Sequence, residues 1–231
     1  MTDTLHTMVT FFSKGGLFMW PLLLCSIVTV TTIVLAALTL REKKVLPLVI
    51  ESEIERLVPG GSPERLLRIV NDDSSSLAGV VRTALQHLRW PRSENIESVQ
   101  TRARRELVRL ERGLIVLEVV TGIAPLIGLI GTVSGLVHVF SGLGLSGGSD
   151  TKGVALGISE ALNCTIFGLS IAVPALIGFS YFSKKVEVMS VEMESLVSDL
   201  IAKIYYGRVP REEMPPPSRS TAPAPARAPI A

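Results

Sequence analysis

Two threonines, one carboxylate and one imidazole sit where polar side chains are rare. Two apolar stretches run back to back: GLIVLEVVTGIAPLIGLIGTVSGLVHVFSG, from Gly113 to Gly142, and GVALGISEALNCTIFGLSIAVPALIGFSYFS, from Gly153 to Ser183. Only Glu118, His138 and Glu160 break their apolar character. Each stretch as a helix reaches ~45 Å at ~1.5 Å per residue, more than a ~30 Å hydrocarbon core needs. Counted inward from Gly142 and Gly153, Thr132 and Thr165 lie ~15 and ~18 Å deep, near mid-membrane. His138 and Glu160 share a shallower level beside the connecting turn. A carboxyl or imidazole inside a membrane helix can take up and release protons, and such a group usually faces a bundle interior or an aqueous path. A hydroxyl can hold water or bond a carboxyl. Its plain use is a bond to the carbonyl one turn back, so a lone membrane threonine carries little weight. The plain use of Glu160 is a carboxyl near the interface, neutral or bonded to a neighbouring hydroxyl.

The elements that must hold these residues carry a second pattern. In the first stretch Thr121, Pro125, Gly128, Thr132, Gly135 and Gly142 recur at helical spacing, with Gly131 beside them. In the second, Gly157, Ala161, Thr165, Gly168, Ala172 and Ala175 do the same, with Pro174 close by. Lipid tails give no hydrophobic push between helices, so membrane packing relies on small residues that let backbones approach. The pair reads as a transmembrane hairpin. Two small-residue faces suit lateral packing of copies into a closed ring with a lumen at Thr132 and Thr165. A tightly packed hairpin with no transport role is the competing reading.

APLIGLIGTVSGLVHVF (Ala124–Phe140) followed by GISEALNCTIFGLSIAVPAL (Gly157–Leu176) resembles the two-part signature of the MotA/TolQ/ExbB proton-channel family, nearest the ExbB and TolQ branch. The resemblance covers roughly residues 15–205. It implies that Thr132 and Thr165 line a central pore and that Glu160 is the carboxylate of the family's G-I-A-E-A-L segment. It implies a homo-oligomer, a pentamer, around a dimer of single-span ExbD- or TolR-like partners, driving a TonB- or TolA-like transducer from the bacterial inner membrane. Ser159 stands where alanine is usual, and Asn163-Cys164 where small apolar residues are usual.

Composition agrees with a bilayer. Of 231 residues 47% are hydrophobic and 19% charged, with mean hydropathy +0.43 and formal net charge +2. That balance offers no case for nucleic-acid binding. Cys25 and Cys164 lie inside apolar stretches and lack metal-ligand spacing, so neither a disulfide framework nor a metal site is expected, and no cofactor. Gly144-Leu145-Ser146-Gly147-Gly148 matches G-x-S-x-G, but a nucleophile elbow needs a strand–turn–helix setting. With no P-loop or H-E-x-x-H either, the chain reads as a channel subunit rather than an enzyme.

A third span comes first: Leu17–Leu40 has no charge, with Trp20 suited to the interface. One Lys/Arg falls in 1–16, fourteen in 41–112, one in the turn and seven in 184–231. The positive-inside rule then places the N-terminus and turn outside and the rest in the cytoplasm. The expected organisation of this all-α, three-span, N-out/C-in chain is as follows: a periplasmic segment 1–16; span one, 17–40; a cytoplasmic helical domain, 41–112; span two, 113–142; a periplasmic turn, 143–152; span three, 153–183; a cytoplasmic helix, 184–208; and a Pro/Ala-rich tail, 209–231, expected to be disordered. Spans two and three are expected to extend into the cytoplasmic domain. No Gly or Pro falls between 94 and 112, which predicts a helix from Ser93 running unbroken into span two. Ser62-Pro63-Glu64 is an N-cap candidate. Leu77, Val80, Val81, Ala84, Leu85 and Leu88 make an apolar stripe.

Overall fold

The computed structural model describes residues 17–145 and 151–206, with backbone only for residues 143–145 and 151. The expectations for residues 1–16, for most of the 143–152 turn including its G-x-S-x-G string, and for the tail lie outside the described residues. What is described is helical, with no strand among the described residues: α1 (Met19–Thr39), α2 (Glu42–Val45), α3 (Leu48–Arg56), α4 (Glu64–Asp72), α5 (Ser76–Gln86), α6 (Arg92–Glu111), α7 (Leu114–Leu145) and α8 (Thr151–Tyr205).

Three of these, α1, α7 and the first part of α8, are long and apolar enough to cross a membrane. Each leaves large apolar side chains uncovered on its outer face, such as Leu24, Ile27, Leu129 and Ile166. That pattern costs a protein dearly in water and is neutral in lipid, where the helix ladder already satisfies the backbone. α7 and α8 form an antiparallel hairpin, and α1 leans on both. Ile33 of α1 packs on Gly178 of α8, where an added β-carbon would stand 3.1 Å from Ile33 Cγ1.

α8 is a single helix of 55 residues, so its second half leaves the apolar layer and becomes the spine of a polar domain built from α2–α6. Its buried positions Val186, Met189, Met193, Val197 and Leu200 recur every three to four residues, the stripe a helix needs to face one core. Against them stand Ile50, Ile54, Leu66, Val70 and the α5 stripe of Leu77, Val80, Val81, Ala84 and Leu85, all buried, with Leu88 partly so.

Two local expectations are corrected. The charged helix does not run unbroken into span two: α6 ends at Glu111, and Arg112-Gly113 make a turn before α7 starts at Leu114. Gly113 is the cause in the sequence, being about 1 kcal/mol poorer than alanine in a helix; it has open space around it, so no packing offsets that cost. Only α8 therefore extends as one helix into the polar domain. Nor is Ser62 a cap. α4 starts at Glu64, one residue too late, with Pro63 in the cap position and no side-chain cap. The cap serine is Ser75, whose Oγ accepts from Ala78 N at 3.2 Å and starts α5.

The far end of α8 is tied down by polar contacts between residues distant in sequence. Buried Asn95 donates through Nδ2 to Tyr205 Oη at 3.1 Å and to Ala84 O at 3.0 Å, and Tyr205 Oη donates to Trp90 O at 2.9 Å. Lys203 Nζ donates to Ile54 O and Glu55 O at 3.0 and 3.2 Å, while Lys203 O accepts from Gly60 N at 2.9 Å. Gly60 holds φ +79°, a left-handed turn that a side chain would strain. Glu106, almost fully buried, is neutralised by Arg102 at 2.6 Å. Tyr205→Phe removes the one hydroxyl that both accepts from Asn95 and donates to Trp90. The expected loss is about 1–3 kcal/mol, read as earlier thermal unfolding in detergent. An unchanged transition would mean the tie does not hold the domain.

Candidate functional site

The site lies on the seam between α7 and α8. Contacts across it recur at helical spacing: Ala124 meets Gly168, Gly128 meets Thr165 and Gly168, Gly135 meets Ala161, and Val139 meets Gly157. The two small-residue faces therefore meet each other inside one protomer. A small-residue face reads from sequence without revealing which helix it will meet. Space is short all along the seam. A β-carbon on Gly128 would come within 3.0 Å of Cys164 O, one on Gly135 within 2.9 Å of Ala161 Cβ, and one on Gly168 within 2.6 Å of Ala124 O. On Gly131 it would collide with Cys164 Sγ, and on Gly157 with Val139. Pro125, half-buried within α7, has no N–H to give the carbonyl of Thr121, and Thr121 turns its own hydroxyl to Leu117 O at 2.9 Å. Pro174 is exposed on α8 and faces away from the seam.

Thr132 and Thr165 come together here. Their hydroxyls hydrogen-bond each other across the seam. Thr132 Oγ1 also lies 3.2 Å from Gly128 O and 3.1 Å from Ala161 O, and Thr165 Oγ1 lies 3.1 Å from Gly128 O. The two hydroxyls own one proton each, and between them they reach two carbonyls, Gly128 O and Ala161 O, and each other. Not all these bonds form at once. The pair can exchange donors without moving its heavy atoms, and a hydroxyl pair of that kind can pass its bonds to water or a carboxyl. Both threonines are half-buried, near the middle of the apolar part of their helices.

His138 and Glu160 lie off the seam. Both are exposed, and neither has a hydrogen bond or ion pair among the described residues. By the register of the seam they stand at one level, about a turn and a half from the threonines toward the connecting turn. Glu118 is exposed near the start of α7, at the opposite end of the span. No mid-depth carboxylate therefore exists on this chain among the described residues. No group of side chains there could hold a metal ion. Two seam residues escape the sequence reading: Ala124 and Cys164, both buried against the opposite helix. Their signal is the three-to-four-residue helical spacing that places 124 before 128 and 164 between 161 and 168.

Residues 72–195, which contain the whole seam, match the family described as the MotA/TolQ/ExbB proton channel family. The chain is 35% identical over 178 residues to a protein named putative biopolymer transport protein ExbB-like 1 from Synechocystis sp., covering 73% of this chain and 67% of that one. It is 41% identical over 81 residues to biopolymer transport protein ExbB of Helicobacter pylori, covering 35% of this chain and 56% of the relative. It is 34% identical over 110 residues to the ExbB of Xanthomonas campestris pv. campestris, covering 47% and 44%. The chain thus spans about half the length of the latter two. With three apolar helices, the small-residue seam and the matched region coinciding, the chain is a multi-pass membrane protein that belongs to the MotA/TolQ/ExbB proton channel family, on its ExbB branch.

Proposed function

We propose that the chain is the channel-forming subunit of an ExbB–ExbD or TolQ–TolR type energy transducer in the bacterial inner membrane. Copies form a ring, five by resemblance, around a dimer of a single-span ExbD- or TolR-like partner, and the assembly drives a TonB- or TolA-like protein. The subunit works as a conduit rather than as an enzyme. One observation carries this reading: a bonded pair of hydroxyls, Thr132 and Thr165, at mid-depth in an apolar hairpin that has no carboxylate of its own at that level. Protons need a group that binds and releases them there, so the partner supplies it. The threonine hydroxyls hold water and bond that carboxyl in a lumen where an unpaired polar group is costly. Glu160, and His138 as an accessory, tune access from the outer side. The drive is ~2.3 kcal/mol per charge per 100 mV.

The test is proton flux. Liposomes holding this chain together with its single-span partner should conduct protons under an imposed potential, and liposomes holding either alone should not. Equal leakage in all three would overturn the reading. A second reading has one specific observation in its favour: both hydroxyls are satisfied within the protomer, as they would be in a passive scaffold that only holds the partner. The same liposomes separate the two, since a scaffold assembles without flux. A flagellar-stator role of the MotA type is disfavoured, because those chains have four spans and three are found here among the described residues.

Orientation belongs to this proposal too. Arg41, Lys43, Lys44, Arg109, Arg112, Lys184 and Lys185 crowd the polar-domain ends of the spans, which by the positive-inside rule supports a cytoplasmic side for that domain. Single cysteines at positions 62 and 147 should react with an impermeant reagent from opposite sides of the membrane. Labelling of both from one side would refute the N-out/C-in arrangement.

A further inference from the structure

We infer that the polar domain carries its own copy-to-copy contact, in which the first turn of α3 on one protomer seats in the groove between α6 and α8 of the next. The inference rests on the ring reading above and names where the ring is held outside the bilayer.

Three observations converge on it. At the start of α3, Leu48 and Val49 are 65% and 61% exposed although they belong to a water-facing domain. Acidic groups escort them: Glu51 on the same helix, with Glu42 and Glu192 lining the adjoining cleft and Lys43 the cation among them. On another flank of the domain, a groove of about 640 Å³ opens between α6 and α8. Its floor is apolar, with Val99, Ala103 and Val197, and Arg92 and Arg104 line it from α6 opposite Glu194 of α8. Arg104 has no ion-pair partner in its own protomer among the described residues. An apolar projection with carboxylates beside it thus matches an apolar slot with guanidinium groups beside it.

The third observation is placement. Glu192 borders the α3 cleft and Glu194 borders the groove, and two residues on a helix are about 200° apart around its axis. The two features share Ser195 at one edge. Their centres, at Glu192 and Leu196 for the cleft and at Glu194, Val197 and Ile201 for the groove, point in roughly opposite directions from α8, the arrangement a head-to-tail contact uses. They also lie at one height. The cleft uses α8 residues 192–196 and the groove uses 191–201, so rotation about an axis along α8 brings one onto the other. That level begins about 13 Å beyond Ser183, the end of the apolar stretch, which removes lipid as the cover for Leu48 and Val49.

The test is cross-linking in native membranes. Val49→Cys with Gln100→Cys on one chain, Cys25 and Cys164 left in place, should give an oxidation ladder that climbs past the dimer, and neither single variant should. Arg104→Glu added to that pair should cut the ladder about tenfold, and Glu51→Arg added in turn should restore it, since opposite charges steer such contacts and like charges oppose them. A ladder that stops at the dimer, or failure of the charge swap to restore it, overturns the contact. No ladder with an oligomer intact by native mass spectrometry overturns the contact and leaves the ring. Monomers alone overturn both.

Discussion

Thr165→Val, and equally Thr132→Val, is expected to leave the protein inserted and bound to its partner while abolishing proton-driven work. Valine keeps the branched shape that the seam accommodates, so the contacts of Gly128 and Ala161 survive. The carbonyls that lose a hydroxyl, Gly128 O and Ala161 O, sit inside continuous helices and keep their backbone donors, so no buried acceptor is orphaned. The structural cost is then that of a hydrogen bond between membrane helices, about 0.5–1.5 kcal/mol. The functional cost is of another order. With one hydroxyl gone, the remaining one keeps only carbonyl acceptors and has no second hydroxyl with which to exchange donors, and water or a carboxyl in the lumen loses half of its polar wall. Complementation, partner pull-down and flux in liposomes measured together decide the matter. Glu160→Gln in the same assays should reduce flux without ending it. Full function from both valine variants would remove the threonines from the proton path.

Gly168→Leu is expected to take the hairpin apart, and Gly122→Leu to do almost nothing. The two glycines lie in facing helices of the same apolar layer and differ in what surrounds them. A β-carbon at 168 would sit 2.6 Å from Ala124 O and 3.3 Å from Gly128 Cα, both backbone atoms that cannot rotate aside, whereas at 122 it meets nothing within 4 Å. Alanine at 168 already forces the helices apart, at about 1–3 kcal/mol, and leucine adds three more carbons with nowhere to go. Separating the seam also pulls Thr165 from Thr132, so Gly168→Ala should lower flux as well as thermal stability in detergent. If Gly168→Leu remained as stable as Gly122→Leu, the close approach of α7 and α8 would not be what holds the protein together.

The sequence made the apolar helices legible because a bilayer demands long uncharged runs, and three stand out against a chain that is otherwise rich in Arg and Glu. It also made the small-residue faces legible, since glycine and alanine repeat at helical spacing. The partner of each face was not legible. A face is a property of one helix, while the seam is a property of two, and Gly128 and Gly168 use each other only once the hairpin is folded. The same limit hid the tie between Asn95 and Tyr205, 110 residues apart, for a lone Asn in a charged helix looks like one more solvated side chain. Thr132 and Thr165 stood out by depth, yet nothing in their positions said that their hydroxyls bond each other. At Gly113 the uninterrupted run of residues 94–112 suggests a continuous helix, and the glycine that follows it ends that run.

A single helix transmits angle as displacement, less any bend taken up at Pro174, where the backbone bond to Ser170 O is missing. Thr165 and Tyr205 lie on the one unbroken helix, 40 residues and therefore about 60 Å apart. A tilt of about 5° at the depth of the threonines carries the far end sideways by about 5 Å, more than a hydrogen bond tolerates. The contacts that Tyr205 and Lys203 make with carbonyls of the polar domain fix that far end. The bond energy there thus sets the stiffness against which any rocking of the helix inside the bilayer must work, and a softened grip at Tyr205 would be felt as extra play 60 Å away, between two threonine hydroxyls.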